Sequence, residues 1–136
     1  MSVGLLIITH GQIGEQLLET AKSMLGMCPL HTTYMPVSQS TDPEDLLVQA
    51  RRTCESLNQG DGVLVLTDMY GSTPSNVANR LLKESQVEVV AGINLPMLIR
   101  ILNYPSLNLH KMINKALSGG HDGILLCERD EYTHDE

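Results

Sequence analysis

The sequence predicts a single α/β domain, a mostly parallel central sheet with helices on both faces. Three observations carry this. Two short runs, residues 4–8 and 63–66, are apolar throughout, as strands buried on both faces of a parallel sheet are. Each is followed by apolar residues at helical spacing, so strands and helices alternate along the chain, the pattern of βαβ units with right-handed crossovers. The chain is 136 residues long and 42% hydrophobic, enough for one core and too short for two ordinary domains. With no Phe or Trp, that core has to be built from Leu, Ile, Val, Met and Ala.

The elements follow in order. Residues 4–11 read as a central strand ending in His10 and Gly11. Ile13, Leu17, Leu18, Ala21, Met24 and Leu25 recur on one helical face, and Gly26 supplies a stop. Residues 30–37, with Thr, Tyr and Val, predict a strand nearer the sheet edge. Thr41 or Asp42 then caps a second helix with Pro43 in its first turn, continued by Leu46, Leu47, Ala50, Cys54 and Leu57. After the loop 58–62 comes the second apolar strand, 63–66. A third helix carries Val77, Ala78, Leu81 and Leu82, with Thr73 as its cap and Pro74 at its first position. Residues 87–91 predict a fourth strand, followed by Asn94 and a short helix through about Leu102. Leu109, Met112, Ile113, Ala116 and Leu117 give a last helix, closed by Gly119 and Gly120. Ile124, Leu125, Leu126 and Cys127 read as a final strand. The domain is expected over residues 1–130, with 131–136 a frayed charged tail.

Composition excludes several functions. A net charge of −7 with scattered basic residues argues against nucleic-acid binding. Cys28, Cys54 and Cys127 form no close-spaced pair and predict reduced thiols. No signal-peptide pattern or apolar stretch of membrane-spanning length is present, so the expectation is a cytoplasmic chain without direct membrane insertion. No cofactor motif and no metal site is expected: His10 and Asp68 are two ligands where a catalytic zinc takes three.

The chemistry is expected at the carboxyl edge of the sheet, where open α/β sheets bind ligands. With the first strand central, a switch point falls between it and the third, and His10 faces Asp68 across it. A carboxylate that accepts from Nδ1–H of an imidazole fixes the tautomer and leaves Nε2 as a nucleophile. The loop Gly71-Ser72-Thr73-Pro74 enters a helix whose first N–H groups lack internal partners, a ready anion site. Thr9, Gly11 and Asn94 complete the predicted rim. Singly, each residue has a plainer use as strand end, cap or turn; together they occupy one rim. They suit an imidazole that accepts a phosphoryl group. A small-anion or nucleotide-binding module without catalysis is the alternative of another class. His31, His110, His121 and His134 lack such surroundings and read as surface or loop residues.

Residues 8–11, the Asp68-Met69-Tyr70-Gly71-Ser72-Thr73-Pro74-Ser75-Asn76 loop and residues 92–98 resemble, in order and spacing, the IIA component of the mannose-family bacterial sugar phosphotransferase system (PTS). The resemblance implies a phosphohistidine carrier in which His10 accepts a phosphoryl group from phospho-HPr and passes it to a IIB partner for sugar uptake, with membrane IIC and IID components reached through IIB. It also allows regulation through the phosphorylation state of His10, or phosphoryl donation to a dihydroxyacetone kinase. By the same resemblance Asp68 orients His10 and Thr73 holds the phosphoryl group. It further implies a homodimer in which the last strand, here 124–127, runs antiparallel and is exchanged. One departure stands out: the family's loop usually has a second glycine where this chain has Ser72, which would be costly if that position needed a positive φ.

Overall fold

A computed structural model describes residues 2–130. Four strands, β1 (Gly4–His10), β2 (Thr32–Val37), β3 (Val63–Thr67) and β4 (Val87–Ala91), alternate with helices α1 (Ile13–Leu25), α2 (Pro43–Leu57), α3 (Thr73–Arg80), α4 (Leu95–Leu102) and α5 (Leu109–Asp122). The sheet order is β2-β1-β3-β4 and every pairing is parallel. β1 is central, as its wholly apolar run requires, and β2 lies at the edge, where Pro36 costs no interior ladder bond.

Alternate residues of each strand serve opposite layers. Leu5, Ile7, Leu64 and Leu66 pack under α1, α4 and α5 with Leu18, Ala21, Met97, Leu98, Ile101, Met112 and Ala116. Leu6, Ile8, Val63 and Val65 pack under α2 and α3 with Leu46, Leu47, Ala50, Val77, Ala78 and Leu81. Each fully buried Leu or Ile contributes about 1.5–3 kcal/mol relative to exposure. A one-residue slip of β1 would exchange the two layers, so this burial fixes the register. That register sets Ile8 beside Thr67 and His10 beside Val37, which fixes what stands at the carboxyl edge.

Two expectations at the C-terminal end are corrected. The final antiparallel strand is absent among the described residues: the four strands there are all parallel, and residues 124–130 adopt no regular structure. Ile124, Leu125 and Leu126 are 76%, 78% and 91% exposed, so within the single chain this run joins no sheet. A short apolar run has a tendency to be buried but does not specify a ladder partner, and a strand without one leaves its backbone groups unpaired. Gly119 and Gly120 do not end the last helix either, because α5 runs through both to Asp122. They are there for close packing. A Cβ on Gly119 would lie 2.7 Å from Cβ of Arg100, and one on Gly120 2.9 Å from Cε of Met97, so α5 approaches α4 along a side-chain-free strip. Residues 131–136, expected to fray, lie outside the described residues.

Cys54 is buried beneath α2, and burial pushes its thiol up to about 11, which keeps it protonated and inert. Cys28 is half-buried and Cys127 exposed, and all three are free. No helix among the described residues is long and apolar enough to cross a membrane.

Candidate functional site

His10 is the last residue of β1, and Gly11 turns the chain at a φ of +46°, a left-handed conformation that suits glycine. The turn is held from two sides. Gly11 N–H donates to the Val37 carbonyl at 2.8 Å, and Thr9 Oγ1 accepts from Gly14 N–H at 2.9 Å. Thr9 thereby caps α1 in place of Gln12, whose side chain makes no capping bond. Gly14 allows this approach, since a Cβ there would lie 2.6 Å from Cγ2 of Ile7. Thr9 is 2% exposed, so it acts under the site, not on its rim.

Across the switch point, Asp68 follows β3. Its Oδ2 accepts twice from His10, from the backbone N–H at 2.9 Å and from Nδ1 at 2.8 Å. Oδ1 accepts from Met69 N–H at 2.9 Å. Burial works against the charged carboxylate, but the hydrogen bonds from His10 and Met69 outweigh it and hold Asp68 below its ordinary value. An ionised Asp68 assigns the ring proton to Nδ1 and leaves the lone pair on Nε2. The imidazole is 47% exposed and the carboxylate 14%, so the orienting group is sheltered and the reactive one accessible.

The loop after Asp68 turns at Gly71, at a φ of +88°. Ser72 sits at φ −87°, ψ 171°, extended backbone that any residue adopts, so the missing second glycine brings no strain. Ser72 is also the N-cap, one residue before the Thr73 expected there, and it makes no side-chain capping bond. Its hydroxyl and its N–H both donate back to the Met69 carbonyl. Gly71 N–H donates to Ser75 Oγ at 3.3 Å. Of the three loop residues expected to bind an anion, Thr73 alone keeps both donors open: its hydroxyl and N–H have no acceptor among the described residues. Thr73 is exposed, and α3 carries no acid in its first turn, so the positive helix end is not offset.

His10, Gly11 and Thr73 share an open cleft of ≈ 630 Å³ whose other lining residues are Val37, Ser38, Gln39, Thr41 and Pro43. The structure thus brings together His10, Asp68, Gly11 and Thr73. Asn94 is placed elsewhere: its Oδ1 accepts from Met97 N–H at 2.9 Å and its Nδ2 donates to the Gly120 carbonyl at 3.1 Å, tying α4 to α5. The β2–α2 side of the cleft was missed from sequence. Its signal was available, because the end of β2 lies on the same sheet edge as those of β1 and β3. His31, His110 and His121 are exposed and line no part of the cleft, and His134 lies outside the described residues. No group of three or more His, Cys, Asp or Glu able to hold a metal occurs among the described residues.

A doubly wound sheet bearing a carboxylate-held imidazole beside an open helix start defines an α/β protein whose candidate site pairs a histidine with an uncapped helix end. Residues 4–117 match the EIIA-man family, described as the PTS system fructose IIA component, and the chain belongs to that family. It is 31% identical over 129 residues to the PTS system mannose-specific EIIAB component of Escherichia coli (strain K12), covering 91% of this chain and 39% of that protein. It is 30% identical over 133 residues to the transcriptional regulatory protein LevR of Bacillus subtilis (strain 168), covering 93% of this chain and 14% of that one. The chain therefore spans well under half the length of either relative. In fold it is similar to the mannose/sorbose-specific IIA subunit of the phosphotransferase system from Enterococcus faecalis, with a TM-score of 0.84 and 23% identity over 96% of this chain and 98% of that one.

Proposed function

We propose that the chain is a phosphohistidine carrier in which Nε2 of His10 takes a phosphoryl group from phospho-HPr and passes it to a IIB partner. The observation that carries this reading is the 2.8 Å contact between Nδ1 of His10 and Oδ2 of Asp68, made in a cleft shared with the uncapped start of α3. In the acceptance step the Nε2 lone pair forms the new N–P bond. The N–P bond of the donor histidine breaks, and its electron pair returns to the donor ring. The acceptor ring gains positive charge as it reacts, and Asp68 stabilises that charge at Nδ1–H. The phosphoryl oxygens lie against the N–H and hydroxyl of Thr73, where the helix end favours negative charge. Passing the group on to IIB reverses these steps. No proton has to leave the ring, so positioning and charge stabilisation supply the catalysis.

Incubation with phosphorylated HPr should leave an acid-labile, base-stable modification. Its persistence in a His10→Ala variant would exclude His10 as the acceptor. Onward transfer to membrane IIC and IID components through IIB is the transport form of this proposal, consistent with the mannose-specific relative. A regulatory form, in which the phosphorylation state of His10 is itself the signal, is favoured by the similarity to LevR. Transfer from the phosphorylated chain to IIB separates the two forms, since only transport requires it. We also propose a homodimer, because Ile124, Leu125 and Leu126 expose a continuous apolar run. Sedimentation equilibrium showing a monomer at all concentrations would refute it.

A further inference from the structure

The carrier reading leaves one wall of the cleft without a role. Val37 is the register partner of His10 on the neighbouring strand, so Ser38 and Gln39 start one residue beyond it, a strand spacing of ~4.8 Å to the side. Both line the same cleft as His10, with Thr73 on the α3 side. No Lys or Arg lines that cleft. A phosphoryl group has three non-bridging oxygens, and Thr73 supplies two donors at most. An oxygen that faces away from α3 is out of reach of Thr73 and is open to a donor from another element.

The β2–α2 loop has donors to give. Ser38 Oγ contacts Ser40 Oγ at 3.0 Å and Thr41 Oγ1 at 3.2 Å. Three hydroxyl hydrogens serve two contacts, which leaves one free to donate outward, and it is Ser38's when Ser40 and Thr41 both donate to Ser38 Oγ. Thr41 has a structural duty, since its Oγ1 accepts from Ser38 N–H at 3.0 Å and its N–H donates to the Ser38 carbonyl. Gln39 has none: its amide has no partner among the described residues. The N-terminus of α2 behind the loop cannot substitute, because Asp42 already accepts from Glu44 N–H and acids fill its first turn.

We propose that Ser38 and Gln39 form the second phosphoryl-holding wall, donating from the β2–α2 loop to a phosphoryl oxygen on His10 that faces away from Thr73. This inference rests on the carrier reading and adds to it the residues that set the stability of the phosphorylated form. Neutral donors hold the group without cancelling its charge, and so keep it transferable in either direction.

The test compares the wild-type chain with a Ser38→Ala/Gln39→Leu double variant and the single Gln39→Leu variant. Each is equilibrated with phospho-HPr at a fixed ratio, and the ³¹P resonance of the phosphohistidine is recorded. The double variant should lower the equilibrium constant for phosphorylation about tenfold or more, on the scale of a hydrogen bond to a charged group, and move the ³¹P resonance. Gln39→Leu alone should show part of both effects at unchanged melting temperature, which keeps the test open if Ser38→Ala disturbs the loop. Gln39→Glu, which adds a like charge, should lower the constant further than Gln39→Leu. Variants that keep both the wild-type equilibrium and the wild-type resonance would overturn the proposal and leave the loop a connection only. A wild-type chain that takes no phosphoryl group from phospho-HPr would instead overturn the carrier reading, and this inference with it.

Discussion

Two helix starts flank the cleft, and they are built in opposite ways. At α2, Asp42 caps the first turn, accepting from Glu44 N–H at 3.1 Å, and Glu44 and Asp45 add two further acids. At α3 there is no capping bond and no acid, although Pro74 stands in its first turn much as Pro43 does in α2. Asn94 and Asn108 cap α4 and α5, and Thr9 serves α1. Among the described α-helices, α3 alone is left without a side chain on its first N–H groups. An uncapped start gives up about 1 kcal/mol of stability. The comparison locates where this chain has given up stability: beside the exposed imidazole, where an incoming anion would supply what a cap supplies elsewhere.

The largest effect should come from the carboxylate that couples β1 to the α3 side. Asp68→Asn keeps the size of the side chain but removes the charge that opposes the positive ring, and should slow phosphorylation about a hundredfold while the protein stays folded. Stopped transfer assays with phospho-HPr measure this, and equal rates would remove Asp68 from the mechanism. The same variant tests the acid limb of stability. Because the folded-state value of Asp68 is depressed, its contribution is present above the unfolded carboxylate value of about 3.9 and is lost as pH falls through the lower folded value. Denaturant unfolding between pH 6 and 3 should therefore show a component in the wild type that Asp68→Asn lacks.

Next in size is the conversion of α3 into a start like α2. Thr73→Asp puts a carboxylate at the first helical position, which should stabilise the free protein by about 0.3–1 kcal/mol. It should also reduce the equilibrium extent of phosphorylation by about tenfold or more through like-charge repulsion. Opposite signs for stability and phosphorylation are the signature of an end kept open for an anion. Thr73→Val is milder: it removes the hydroxyl and keeps the N–H, and should shorten the phosphohistidine lifetime a few-fold. An unchanged lifetime would show that the backbone suffices. The smallest effect on transfer belongs to Asp42→Ala, which should cost about 1 kcal/mol by thermal unfolding and leave phosphorylation rates near wild type.

Much of this contrast was legible in the sequence. His10 and Asp68 could be placed together because two wholly apolar strands had to be central neighbours, and neighbours in a parallel sheet bring their carboxyl ends to one edge. Ser38 and Gln39 were missed although the same rule applies to β2, because a polar loop at an edge strand reads as solvent-facing. Thr73 and Ser72 both fit the cap position in sequence, since either residue type caps and Pro74 follows closely, and the backbone places Ser72 there. Glycine has two readings as well: Gly26 ends α1, whereas Gly119 and Gly120 let α5 approach Arg100 and Met97, and only the neighbouring helix tells these apart. At 124–127 the apolar run fixed a preference for burial but named no strand to pair with, and no such pairing occurs in the fold of the single chain.

The central claim is that Asp68 holds Nδ1 and so directs chemistry to the other ring nitrogen. Heteronuclear NMR of the ¹⁵N-histidine-labelled, phosphorylated protein tests this most directly, because phosphorus couples to the nitrogen that bears it. Phosphorus on Nε2 of His10, with Nδ1 still protonated, is the result expected. Phosphorus on Nδ1, or on any other histidine, would contradict the account.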